Sequence, residues 1–405
     1  MRETGGDVAG RVLALNYDGD NDYASMLPEL AGQIVVLSQE PLANVVGLAH
    51  YEQIDDLEKL PLGAERAHAL HAEQPFSAVI TDNEYEIVRC GQLRDEWGIR
   101  GQSAASALAF RDKVAMKDAA RLAVEVPAYA RAASRADVES FADKYGFPLI
   151  LKPVDQGGSR GIQVLRRPQD LTTVSAQAWA YEMEIEQFVE GDIYHVDALV
   201  TPDIEFVSAA RYSLPPLQFL HGSPLAHVLI EPDAPITRRL GGFLRALLDV
   251  MPAPESAAYH LEVVRTPDDR LVFCEIACRV GGAQIPELVQ RTYGFDLVAA
   301  SFRASCGLSL PQRPEFAGRV YSSLIVPSPG GFLRDAPAEL PFDWVDRYTF
   351  RRAVGKAIPA SRHSNDHVVC VVFHAEEHAS ALLRLQELEA FLLPRMIWAP
   401  VDDGT

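Results

Sequence analysis

Lys152 lies in the otherwise apolar run LILKP, inside a segment, Phe147–Pro153 (FPLILKP), that reads as a strand ended by proline. An ammonium in such a strand is costly unless it meets an anion, or unless its stem snorkels from the strand end to water. Five residues on comes Gly157-Gly158-Ser159-Arg160-Gly161. Glycines there let main-chain N–H groups approach phosphate oxygens, and Ser159 and Arg160 add a hydroxyl and a charge. A plain turn has the same composition. After a strand lysine, the cluster reads as a phosphate flap. Next, Glu186-Gln187-Phe188-Val189 runs from a strand into the turn Glu190-Gly191-Asp192. Such a segment can offer a purine edge one carbonyl and one N–H between apolar walls.

The fourth group is the hairpin formed by His260–Val264 and Leu271–Ala277, turning across Thr266–Arg270. Side chains alternate along a strand, so His260 and Glu262 share a face, and Phe273, Glu275, Ala277 and Arg279 share another. Paired strands would then bring Glu262 and Glu275 together. Adjacent buried carboxylates repel and protonate unless a cation lies between them. Hard oxygen ligands with room for phosphate favour Mg²⁺, with Mn²⁺ as its substitute. The competing arrangements are an ion pair from one glutamate to Arg279, or an exposed hairpin.

The surrounding elements form an α/β (α+β) pattern. Arg11–Asn16, Gln33–Ser38, Ala43–Leu48 and Ala78–Thr81 read as strands, alternating with helical stretches at Leu57–His71 and Glu84–Glu96, as in a mainly parallel, Rossmann-like layer. Helices are expected over Ser106–Ala123, Ser134–Tyr145, Thr237–Met251 and Pro286–Cys306. Ser213–Val228 reads as a long loop, and a β-rich section runs from Val320 to near Trp398. Three parts result: 1–105, 106–188 and 189–405.

The 405 residues carry 37 Lys plus Arg against 56 Asp plus Glu, a net charge of −19. So acidic a chain repels phosphate backbones and anionic lipid, which argues against nucleic-acid and membrane partners. The five cysteines, Cys90, Cys274, Cys278, Cys306 and Cys370, form no C-x-x-C pair and read as free thiols in a reducing cytosol. Met1–Arg11 is polar, with no apolar core of signal-peptide length, and no run approaches a membrane span. A cytoplasmic protein is expected.

In order and spacing, the runs RDKVAMK (111–117), LILKPVDQGGSRGIQVL (149–165), EIEQFVEGDIYHVDALV (184–200) and HLEVVRTPDDRLVFCEIACRVGG (260–282) resemble the ATP-grasp superfamily over roughly residues 11–320. Within it they look most like the carboxylate–amine ligases that join amino acids, the dipeptide ligase and carnosine synthase-like group. The tail GKAIPASRHSNDHVVCVVF (355–373) looks like that group's C-terminal section. The resemblance implies an ATP-grasp fold with a Rossmann-like N-terminal domain and a C-terminal β-rich section, and an enzyme using ATP and Mg²⁺. It places Lys113 and Lys152 on the phosphates, Gly157–Gly161 over them and Glu186–Val189 at the adenine. Asp192 falls near the ribose, Phe273 at the nucleotide, and Glu262 and Glu275 on the metal. Arg279, with Lys152, would act in catalysis by stabilising the acyl phosphate. Many members place a metal-binding Asn where this chain has Ala277.

The implied reaction joins a small carboxylate to an amine through an acyl phosphate, releasing ADP and phosphate. His195, Arg211, Tyr212, His260, Gly281 and Gly282 are the candidates for substrate contacts, with His221 and Tyr259 also in reach, and the 213–228 loop for a lid. A homodimer is the assembly the group commonly forms. The alternatives are a bicarbonate-activating enzyme like the biotin-dependent carboxylases, thiol ligation, and a nucleotide-binding subunit without turnover.

Overall fold

The computed structural model describes residues 10–17, 19–55, 57, 61–310, 312–351, 354–363 and 366–400. Residues 1–9 of the polar leader, and 364–365 of the tail quoted above, lie outside the described residues. The first sheet is parallel throughout, in the order β3 (His50–Gln53), β2 (Ile34–Ser38), β1 (Val12–Asn16), β4 (Ala78–Ile80). The strands β1 and β2 are buried on both faces, which is why they read as unbroken apolar runs. The helices Leu62–Glu73 and Ile87–Trp97 pack residues such as Ala67, Leu70, Cys90 and Leu93 onto one face. The strand expected at Ala43–Leu48 is a turn-rich loop with Val46 76% exposed, and its place is taken by β3.

The second sheet is antiparallel, β5 (Tyr129–Ala132), β8 (Met183–Gln187), β6 (Leu149–Pro153), β7 (Gln163–Leu165), so the glycine cluster joins the neighbours β6 and β7 as a hairpin. The helix Arg135–Tyr145 begins where expected, Ser134 Oγ accepting the Asp137 N–H, and packs Val138 and Phe141 on this sheet.

The third sheet has eight antiparallel strands. They are β9 (Asp192–Val200), β10 (Glu205–Tyr212), β11 (Leu225–Ile230), β12 (Ala257–Arg265), β13 (Leu271–Ala277), β14 (Val320–Val326), β16 (Val345–Phe350) and β18 (Val369–Ala375), in the order β13-β12-β9-β10-β11-β14-β18-β16. A small sheet pairs β15 (Gly331–Asp335) with β17 (Ala357–Ile358) and β19 (Ile397–Ala399). The helix Pro235–Leu248 lays Leu240, Leu244 and Leu247 under β9 and β10; burying each contributes about 1.5–3 kcal/mol.

Further expectations need correcting. Pro286–Cys306 is two helices, Ile285–Tyr293 and Leu297–Ser305, the first ended by Gly294 in the left-handed region. Ser106–Ala123 is two helices, Ala104–Ala109 and Lys113–Ala120, because Asp112 caps the second by accepting the Val114 and Ala115 N–H groups. The 213–228 stretch is a loop only as far as Pro224, since Leu225–Ile230 is a fully buried strand. The C-terminal section is not uniformly β: the helix His378–Leu392 covers it, burying Ala381, Leu385, Leu388 and Leu392. Among the described residues no helix is long and apolar enough to cross a membrane.

Candidate active site

The hairpin β12–β13 sets the two acids directly opposite each other, Glu262 against Glu275. A bulge follows: Val263 pairs with Phe273, leaving Cys274 as the extra residue. This overturns the alternation inferred for Phe273. With one residue inserted, Phe273 falls on the other face, 1% exposed, in the core with Met116, Tyr259 and Ile276. Cys274 takes the position beside Glu275, its thiol pushed up by burial and by the charges of Glu262, Glu275 and Glu186, with Lys152 pulling the other way.

Capping by Asp112 turns Lys113 toward the hairpin, its Nζ 3.4 Å from Glu275 Oε2 and donating to the Gln156 carbonyl at 2.7 Å. Tyr212 donates its hydroxyl to Glu262 Oε1 at 2.9 Å, and His260 Nε2 lies 3.7 Å from the same oxygen. Burial alone would raise the Glu262 carboxyl; His260 and the Tyr212 hydroxyl reverse this and hold it below its ordinary value. Two carboxylates on adjacent strands, with the Lys113 ammonium beside one of them, are an oxygen donor set suited to a hard divalent cation.

Above the hairpin, β6, β8 and the helix Lys113–Ala120 together carry a buried quartet. Lys152 Nζ lies 2.6 Å from Glu186 Oε1 and 3.9 Å from Glu184 Oε2; Lys117 Nζ lies 2.7 Å from Glu184 Oε1 and 2.9 Å from Glu186 Oε2. Burial works against the charges of Lys117, Lys152 and Glu186, yet the two cations hold Glu186 at about 2 and the acids raise both lysines. Beside it runs the hinge, Glu186–Val189, where the N–H groups of Gln187 and Phe188 are bound by the Ala128 and Pro148 carbonyls and the Val189 N–H is left without a hydrogen bond among the described residues. In the flap, Gly158, Ser159 and Gly161 all have φ near +60° to +75°. A Cβ at Gly161 would meet Pro153 Cγ at 2.9 Å.

Under Glu262 runs a second network. Asp197 uses one carboxylate oxygen for each of two imidazoles, His195 Nδ1 at 2.6 Å and His260 Nδ1 at 2.8 Å, and His195 Nε2 faces His227 Nδ1 at 3.3 Å. Burial disfavours charge on His260, but the Asp197 carboxylate overcomes it and raises the imidazole to about 10. Burial and the neighbouring His195 keep His227 well below its ordinary value, hence neutral. Contacts of hydrogen-bond length throughout make these four residues a hydrogen-bonded clamp. Gly281 is required beside it: a Cβ there would lie 2.3 Å from Asp197 Oδ1.

Of the residues read from sequence, Lys113, Lys152, Glu186, His195, Tyr212, His260, Glu262, Glu275 and Gly281 are brought into these networks, while Arg279 pairs outside them. Arg279 donates from Nε to Glu84 at 2.5 Å and from Nη1 to the Val280 carbonyl at 2.8 Å. Asp192 and Arg211 are not brought in. Their side chains alternate to the opposite face of the sheet from His195 and Tyr212, and they pair with each other at 2.7 Å. His221 is exposed at the end of a short 3₁₀ turn, and Tyr259 is buried in the core. Sequence reasoning missed Lys117, Glu184, Asp197, His227 and Glu84. A signal existed for three: Lys117 is one helical turn from Lys113, and Glu184 and Asp197 are each two strand residues from Glu186 and His195. A cavity of about 350 Å³ lies between the outer side of the hinge and the Thr266–Arg270 turn.

No family model matches the chain. In sequence it is similar to an L-arginine-specific L-amino acid ligase of Bacillus subtilis, 25% identical over 63% of this chain and 64% of the relative. It is also similar to a D-alanine–D-alanine ligase B of Pseudomonas putida, 29% identical over 46% of this chain and 64% of the relative. Each aligned stretch thus spans a little under two thirds of the relative's length. In structure it is similar to an L-amino acid ligase from Bacillus licheniformis, with a TM-score of 0.75 at 16% identity over 96% of this chain and 99% of the other. With the parallel sheet, the β6–β7 flap and the β12–β13 acid pair in these positions, the chain has the ATP-grasp fold that its motifs resemble.

Proposed function

We propose that this chain is an ATP-dependent carboxylate–amine ligase that joins amino acids, or an amino acid and a small acid, through an acyl phosphate. The observation that carries the reading is the pairing of Glu262 with Glu275 across β12 and β13, with Lys113 beside them. The acids would hold Mg²⁺, which supplies neutralisation of phosphate charge when bound. Similarity to amino acid ligases supports the substrate class.

The chemistry asks for positioning more than for a covalent enzyme intermediate. A carboxylate oxygen attacks the γ-phosphorus, and the bond to the β-phosphate oxygen breaks as ADP leaves. Lys113 and Lys152 face the phosphates, the Gly157–Gly161 flap excludes water from the acyl phosphate, and the Val189 N–H meets the adenine edge. An amine then attacks the acyl carbon, phosphate departs with the bonding pair, and the ammonium proton passes to solvent or phosphate. Arg279 offers charge-assisted hydrogen bonds to the oxygens of that acyl group. Residues 106–188 act as the lid over 189–405, with 1–105 closing the substrate side. Five free thiols suit a reducing cytosol, and a homodimer is the assembly we expect.

The test is phosphate release across pairs of amino acids, with mass spectrometry of the products. An amide with ADP and phosphate supports the reading; AMP with pyrophosphate contradicts it, and release driven by bicarbonate alone would show a carboxylating enzyme.

A further inference from the structure

Three parts of the chain converge on a short loop that leaves the parallel sheet after β4. Thr81 Oγ1 accepts the Asn83 N–H at 3.0 Å, and Asn83 Oδ1 accepts the Tyr85 N–H at 3.0 Å, so the loop carries Glu84 and Tyr85 on a stiff double turn. Glu84 divides its carboxylate. Oε2 accepts Arg279 Nε at 2.5 Å, and Oε1 accepts Arg111 Nη1 at 2.6 Å. Arg111 also donates to the Asp155 carbonyl at the root of the flap. Tyr85 meets the flap itself: Arg160 Nη1 donates to its hydroxyl at 2.9 Å, and the guanidinium carbons of Arg111 and Arg160 lie 5.3 and 5.5 Å from its ring centroid. Gly157 closes against Glu84, where an added Cβ would sit 3.8 Å from Cγ. The Glu84 and Arg279 side chains are 14% and 19% exposed, and that of Arg111 is 8%.

An arginine at the end of β13 has several rotatable bonds, so its direction needs a cause. The Nε contact fixes the plane of the guanidinium, because Nε–H and the Nη groups lie in one rigid fork. Two of its five N–H hydrogens are spent on Glu84 and on the Val280 carbonyl; the others can serve a ligand. Burial would raise the Glu84 carboxyl, but Arg279 and Arg111 hold it at about 2, so it stays an anion at neutral pH.

We propose that Glu84 and Tyr85 are positioning residues that dock the glycine flap on the N-terminal sheet and orient Arg279, coupling flap closure to acyl transfer. The acyl-transfer half of this rests on the ligase reading above; the docking half does not. The docking half is tested first, on the protein with no nucleotide added. Trypsin cleavage after Arg160 is timed by mass spectrometry for wild type, Tyr85→Phe and Glu84→Gln. Loss of one hydrogen bond should speed that cleavage about 3- to 10-fold in Tyr85→Phe, which removes a single oxygen. An unchanged rate overturns the dock.

The orienting role is read in turnover. Glu84→Gln should lower kcat about 10- to 100-fold, the scale of a hydrogen bond to a charged group, with KM for ATP within about 2-fold. Glu84→Asp should recover part of the loss. Unchanged kcat in Glu84→Gln, or a rise in KM for ATP without a fall in kcat, overturns the orienting role. A wild type that forms no amide would contradict the ligase reading, while the cleavage rates still decide the dock.

Discussion

Lys117→Met replaces the most deeply buried cation of the lid by a side chain of similar length. Lys117 is 0% exposed and its ammonium lies within 2.9 Å of both Glu184 and Glu186. Without it, two carboxylates on one face of β8 share a single ammonium, Lys152, and Glu184 keeps it only at 3.9 Å. Removing one member of a buried ion pair typically costs about 3–5 kcal/mol, because the partner charge is left uncompensated. The loss should be local, so hydrogen exchange of the β6 and β8 amides is the assay. At about 1.4 kcal/mol per factor of ten, those amides should exchange roughly 10²- to 10³-fold faster. The double variant Lys117→Met/Glu184→Leu removes a whole pair and leaves Lys152 with Glu186 at 2.6 Å; it should regain most of the protection. Exchange in Lys117→Met within about 3-fold of wild type would refute the reasoning, as would a double variant worse than the single.

Further outcomes follow from the same contacts. Gly281→Ala places a Cβ 2.3 Å from Asp197 Oδ1 and 2.8 Å from His260 Nδ1; overpacking of this kind should cost about 1–3 kcal/mol, read by thermal melting. The Glu84 and Glu186 carboxyls, both at about 2 and thus below their unfolded value, give stability that is complete above about pH 4.5. That stability should drain away between about pH 4.5 and 2, with proton uptake on unfolding in that window. His260 runs the other way. Raised to about 10, it gives stability that is full below about pH 6.5 and fades as pH climbs through 10, a loss that Asp197→Asn should abolish in a melting series.

Much of the site was legible because its spacing is strand and helix spacing. Glu262 and Glu275 meet because a short hairpin leaves few ways to pair them, and Lys152 with the glycine flap reads as strand then turn. The bulge at Cys274 was not legible: one inserted residue puts the side chains on its far side from Glu275, Phe273 among them, on the opposite face, and composition does not mark it. The same applies to Ala43–Leu48, where Val45 and Val46 have strand propensity but no partner strand, while the less apolar His50–Gln53 pairs with β2. Glu84 was out of reach for a different reason. It comes from a loop 195 positions from Arg279, and only the folded topology joins them.

The central claim, that Glu262 and Glu275 share one divalent cation beside the triphosphate, is tested most directly by Mn²⁺ binding to the ADP-loaded protein. Titration followed by water-proton relaxation or electron paramagnetic resonance reads the cation without needing turnover. Glu262→Gln and Glu275→Gln should each weaken Mn²⁺ by about tenfold or more, since each removes a full ligand charge, while both proteins keep their fold. Equal Mn²⁺ affinity in wild type and both variants would contradict the account.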